Sequence, residues 1–117
     1  MTDYNRPPGK TTVAPEVLTS IARMAALSVP GVSGLAPVSG GVNRIFRHGA
    51  NDGVQINIHE NTVSADIYLI LKEDVNIREV SRNVQHGVAR AIQEMVGMDV
   101  AQIDIHIEDI EYEEAEA

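Results

Sequence analysis

The chain has 117 residues, 44% hydrophobic and 22% charged, which suits one domain with a real core and argues against disorder over most of its length. It contains no cysteine, so disulfides, thiolate metal sites and cysteine nucleophiles are excluded. Nine Lys and Arg against 17 Asp and Glu give a formal net charge of −8, which argues against nucleic acid as a partner.

The acids are unevenly spread. Glu108, Asp109, Glu111, Glu113, Glu114 and Glu116 crowd the C-terminus, and the rest of the chain is close to neutral. No apolar run reaches the roughly 18 residues of a membrane span, and MTDYNRPPGKTT has no apolar stretch of a signal peptide. The expectation is a cytoplasmic domain.

Residues 1–10, broken by Pro7-Pro8-Gly9, read as a flexible lead, with Thr11–Val13 as a short edge strand. A helix is predicted from Pro15 to about Ser28. Pro15 suits the first helical position and Glu16 the positive helix end. Val17, Leu18, Ile21, Met24, Ala25 and Ser28 form its buried stripe, and Pro30-Gly31 ends it. Val32–Val38 reads as a strand weakened by glycine and proline. A glycine-bearing loop follows through residues 39–53. It lacks the Gly-Lys-Ser/Thr of a phosphate-binding loop and the spacing of a dinucleotide fingerprint.

Two strongly alternating runs come next, Val54–His59 and Thr62–Lys72, separated only by Glu60-Asn61. A two-residue hairpin pairs His59 with Thr62, Asn57 with Ser64 and Gln55 with Asp66. Every apolar residue then falls on one face, and a one-residue slip would destroy that agreement. Asn76 with Glu79 three residues on is a helix-start pattern, and Val80, Val84, Val88, Ala91, Ile92 and Met95 are the stripe of a second helix that Gly97 ends. A last strand is predicted from Ala101 to about Ile110, with Ile103, Ile105 and Ile107 on one side. Because it follows a helix, a right-handed crossover makes it parallel to Thr62–Leu71. The fold class expected is a two-layer α/β (α+β) sandwich: a mixed, largely antiparallel sheet with two main helices on one face. A single domain covers residues 11–110, and 111–117 is an acidic disordered tail.

The candidate chemistry is sparse. His59 and His106 fall on the polar sheet face with Asp66 and Asp104, a donor set that zinc accepts. Neither histidine lies in a short ligand motif, so these read first as solvated side chains. His48 and His86 read as surface residues. An open sheet face offers no pocket to tune a carboxylate pair, and no Ser-His-Asp arrangement can be assembled. No catalytic residue, metal ligand or cofactor-binding residue is therefore assigned. Phe46, the only phenylalanine, stands between Arg44 and Arg47, and Arg78 and Arg82 are neighbours on the outer side of the second helix. Arg44, Phe46, Arg47, Arg78 and Arg82 are the candidate docking residues. The plainer alternatives are Phe46 folded back as a lid on the core and arginines on a solvated helix face.

Four stretches in order resemble the bacterial alkaline shock protein family, also called the envelope stress response family: Thr12–Leu18 through Val29–Val32; Gly53–Ile56 with Val63–Tyr68; Val75–Val80 with Val84-Gln85; and Met95–Met98 through Ile103–Ile110. This chain departs from the family pattern at Glu60-Asn61, where a glycine-containing turn is more usual, and in its short 39–53 loop. The resemblance implies a non-enzymatic cytoplasmic protein of envelope and alkaline stress, without cofactor. It implies association with the membrane through a small membrane-anchored partner, and self-association. The competing class is a small-ligand or metal-binding domain using the polar sheet face.

Overall fold

The computed structural model describes residues 8–37 and 53–113. The elements run α1 (Pro15–Leu27), β1 (Val32–Leu35), β2 (Val54–His59), β3 (Thr62–Lys72), α2 (Ile77–Val96) and β4 (Asp99–Glu111). β3 is the axis of the sheet. Its side chains alternate without interruption, with Val63, Ala65, Ile67, Leu69 and Leu71 all buried, because it has neighbours on both sides and helices over one face.

The hairpin forms in the expected register, from His59↔Thr62 to Val54↔Ile67. Glu60 takes the left-handed conformation that a tight turn requires and that glycine usually supplies (φ 54°). β1 also pairs antiparallel with β3, from Val32↔Leu71 to Leu35↔Leu69. β1 and β2 therefore lie end to end along the same edge of β3. They meet at Tyr68, whose carbonyl accepts from the Ala36 N–H while its own N–H donates to the Gly53 carbonyl, both at 2.9 Å. Gly53 is needed at this junction: its φ is +82°, and a Cβ there would stand 2.5 Å from Leu35 Cβ. β4 runs parallel to β3 on the other side, as the crossover argument requires, so the sheet is mixed.

α2 starts where the Asn76 side chain accepts from the Glu79 N–H at 3.0 Å and stops at Gly97 in the left-handed conformation. Its Val80, Val84, Val88 and Ile92 join Leu18, Ile21, Ala22 and Ala26 of α1 against the inner sheet face, forming one core. The two helices and the sheet make the expected two-layer α+β sandwich.

Several expectations need correcting. Thr11–Val13 is not a strand, since no neighbouring strand pairs with it; Val13 instead packs its side chain on the core. The first strand stops at Leu35, where the chain passes to the β1–β2 junction. α1 is rotated relative to the predicted stripe. Its apolar residues cover more of the helix than the sheet can bury, so Leu18, Ile21, Ala22 and Ala26 point inward while Val17 and Met24 face out. Met95 lies at the end of α2 and is 63% exposed, and Ile58 at the tip of the hairpin is 39% exposed. β4 extends one residue past Ile110: Glu111 pairs with Lys72 and its carbonyl accepts from the Glu73 N–H.

Candidate functional site

Among the described residues the sheet has an inner face under α1 and α2 and an outer face that no helix covers. Asp66, Tyr68, Gln102, Asp104, His106 and Glu108 alternate with the inward residues along β3 and β4. Register brings Tyr68 opposite His106, and their rings stack with centroids 4.5 Å apart and 13° between planes. His106 Nε2 lies 2.9 Å from Asp66 Oδ1, and both side chains are 40% exposed. Burial raises the Tyr68 phenol above its usual 10.0, and the negative charges of Asp66 and Glu108 add to the rise. Asp104 is held instead by Gln102, whose Nε2 donates to Asp104 Oδ2 at 3.0 Å.

The two histidines weighed together for zinc do not meet. His59 pairs with Thr62 while His106 pairs with Tyr68, six positions along β3, which amounts to about 20 Å at strand spacing. Among the described residues no group of three or more His, Cys, Asp or Glu is placed to hold a metal ion.

Of the candidate docking residues, Arg44, Phe46 and Arg47 lie outside the described residues. Arg78 and Arg82 stand exposed on the first turns of α2. They make no ion pair among the described residues, and Ile77 beside them is 47% exposed. Arg90, further along the same helix, is engaged: its Nε donates to Glu94 at 2.9 Å, an exposed pair. A second apolar feature lies between the helices, where Ile21, Met24, Ala25, Val29, Gly87 and Met95 line an open groove.

The edge of β4 was not singled out from the sequence. Tyr68 and Lys72 direct their backbone groups toward the β1–β2 side. Backbone direction alternates along a strand, so the odd-numbered residues of β3 face β4. In the parallel ladder Ala65, opposite Ile103, then bonds Gln102 and Asp104, and the N–H and C=O of Ile103 point away from β3. The same holds for Ile105 and Ile107. Two irregularities, between Val63/Ser64 and Leu69/Ile70 of the β3 side, insert Ala101 and Glu108 on β4. They keep Val100, Ile103, Ile105, Ile107 and Ile110 all packed on the core despite the uneven spacing. Two edge groups are already occupied. The Ile103 carbonyl accepts from Gln85 Nε2 of α2 at 3.0 Å, and the Ile110 N–H donates to Asp109 Oδ1 at 2.8 Å. The signal for the bulges was present in the sequence as the three-residue spacings Val100–Ile103 and Ile107–Ile110.

No helix among the described residues is long and apolar enough to cross a membrane. The fold is shared with solved structures of MamM CTD. One variant aligns with a TM-score of 0.53 at 15% identity, covering 85% of this chain and 100% of that chain. The chain is 29% identical over 107 residues to the uncharacterized protein YqhY of Bacillus subtilis (strain 168), covering 90% of this chain and 79% of YqhY. It is 30% identical over 105 residues to the uncharacterized protein Spy1535 of Streptococcus pyogenes serotype M6, covering 87% of this chain and 79% of that protein. The description of the alkaline shock protein 23 family, of cell envelope-related function, matches residues 3–112, and with the predicted fold in place the chain belongs to that family.

Proposed function

We propose that the chain is a non-enzymatic interaction and scaffold module of the envelope and alkaline stress response. It acts in the cytoplasm, is recruited to the membrane by a small membrane-anchored protein, and self-associates. The family's cell envelope-related function supports the setting. The observation that carries the docking role is the start of α2, where Ile77, Arg78 and Arg82 are all exposed and neither arginine makes an ion pair among the described residues. An exposed apolar side chain with arginines on the same helical segment is the composition of an interface anchor. Arg44, Phe46 and Arg47 repeat that composition in the sequence and form the second docking element.

The test is partner capture at native expression with two variants, Arg78→Glu/Arg82→Glu and Arg44→Ala/Phe46→Ala/Arg47→Ala. Circular dichroism and the unfolding midpoint report whether each is folded. Loss of the membrane-anchored partner from a folded variant supports the reading. Full capture by both folded variants would contradict it.

A further inference from the structure

We infer that β4 carries a strand-accepting window at Ile105–Ile107, suited to an extended segment with two basic side chains four residues apart. The inference rests on the interaction-module reading and names a surface that reading does not use. No strand of the described residues lies beyond β4, so the outward N–H and C=O of Ile105 and Ile107 have no ladder partner there. The window has defined ends. Gln85 occupies the Ile103 carbonyl and Asp109 the Ile110 N–H, and bulges at Ala101 and Glu108 bend the strand on either side. At Ile105 and Ile107 an incoming strand gains up to four backbone hydrogen bonds, to which the Ile103 N–H can add one more, and this limits the contact to a short segment.

Charge selects the occupant. On the outer face Asp104 and Glu108 flank His106 four residues apart, and both are exposed. In a second β4 laid antiparallel about His106, Asp104 of each copy would face Glu108 of the other, and like charges directly opposite oppose pairing. A segment with Lys or Arg at positions i and i+4 meets the same two acids favourably, while small apolar residues at i+1 and i+3 turn to the inner side.

The probe is a blocked peptide, Thr-Lys-Val-Thr-Val-Lys-Thr, added to the full chain and followed by amide hydrogen exchange. The expected result is slowed exchange at Ile105 and Ile107 with little change at Ile110. Methylating the two valine nitrogens, and separately Asp104→Lys/Glu108→Lys in a folded variant, should each weaken binding about tenfold or more. Three outcomes overturn the inference. One is no binding, or binding without protection at Ile105 and Ile107. Another is equal binding of the methylated peptide, which would be charge attraction alone. The last is a dimer of the untreated chain by sedimentation velocity with both amides already protected, which would make a second copy the occupant. If the peptide fails while Arg78→Glu/Arg82→Glu still abolishes partner capture, the edge assignment falls and the interaction-module reading stands.

Discussion

The two flanks of β3 are built differently. On one flank β2 keeps a one-to-one register through six residue pairs, from a turn of two residues. On the other, β4 pairs with β3 over its whole length but slips twice. The hairpin is a local structure: once Glu60 accepts its left-handed conformation, the alternation of Val54–His59 settles the rest. β4 arrives after a 20-residue helix, and its position is set by packing under α2. Its isoleucines reach the core only because two bulges absorb the mismatch. Among the described residues the β4 edge has no neighbouring strand, and it carries Gln85, Asp109 and a row of acids, devices that restrict strand pairing.

The largest expected effect comes where both flanks meet. Ile67 is fully buried, opposite Val54 on one side and Ile105 on the other. Ile67→Ala should destabilise the chain by about 2–5 kcal/mol in urea unfolding. Ile105→Ala should cost less, since Ile105 is only partly buried. Equal losses would show that β4 is as enclosed as β3. Gly53→Val attacks the β1–β2 flank alone. It puts a branched side chain at φ +82° against Leu35, and should cost about 1–3 kcal/mol.

Asn76→Ala attacks the other flank through the helix that places β4. Losing the bond from the Glu79 N–H should cost about 0.5–2 kcal/mol, read as a lower urea midpoint. The smallest effect concerns Tyr68. Its folded-state pKa is raised, so its contribution to stability is complete below pH 10 and is lost as pH rises through the raised value. Tyr68→Phe should flatten the alkaline limb of a stability–pH curve without changing its neutral region. An unchanged limb would place the loss in other groups.

What the residues revealed in advance follows the same division. The hairpin register, the Asn76 and Gly97 helix ends and the parallel sense of β4 were all legible, because each depends on local spacing or on chain handedness. The face of α1 was misjudged because its apolar residues outnumber those the sheet can cover, leaving Met24 60% exposed. The tandem arrangement of β1 and β2 was hidden because residues far apart in sequence share one edge of β3. Asp66 and His106 were both assigned to the outer face, but their contact and the Tyr68 stack depend on the β3–β4 register, which sequence alternation alone does not set. In the sequence Gln85 stands out only as part of the Val84-Gln85 stretch. Its role appears only once β4 is seen to end the sheet.

The edge itself can be read directly by amide hydrogen exchange on the isolated chain, without any added partner. Asp104 and His106 direct their N–H groups into the ladder with β3, whereas Ile105 and Ile107 direct theirs outward. The account predicts slow exchange at Asp104 and His106 alternating with fast exchange at Ile105 and Ile107. Uniformly slow exchange from Ile103 to Ile107 would mean that the edge is already covered, and would contradict the open β4 window.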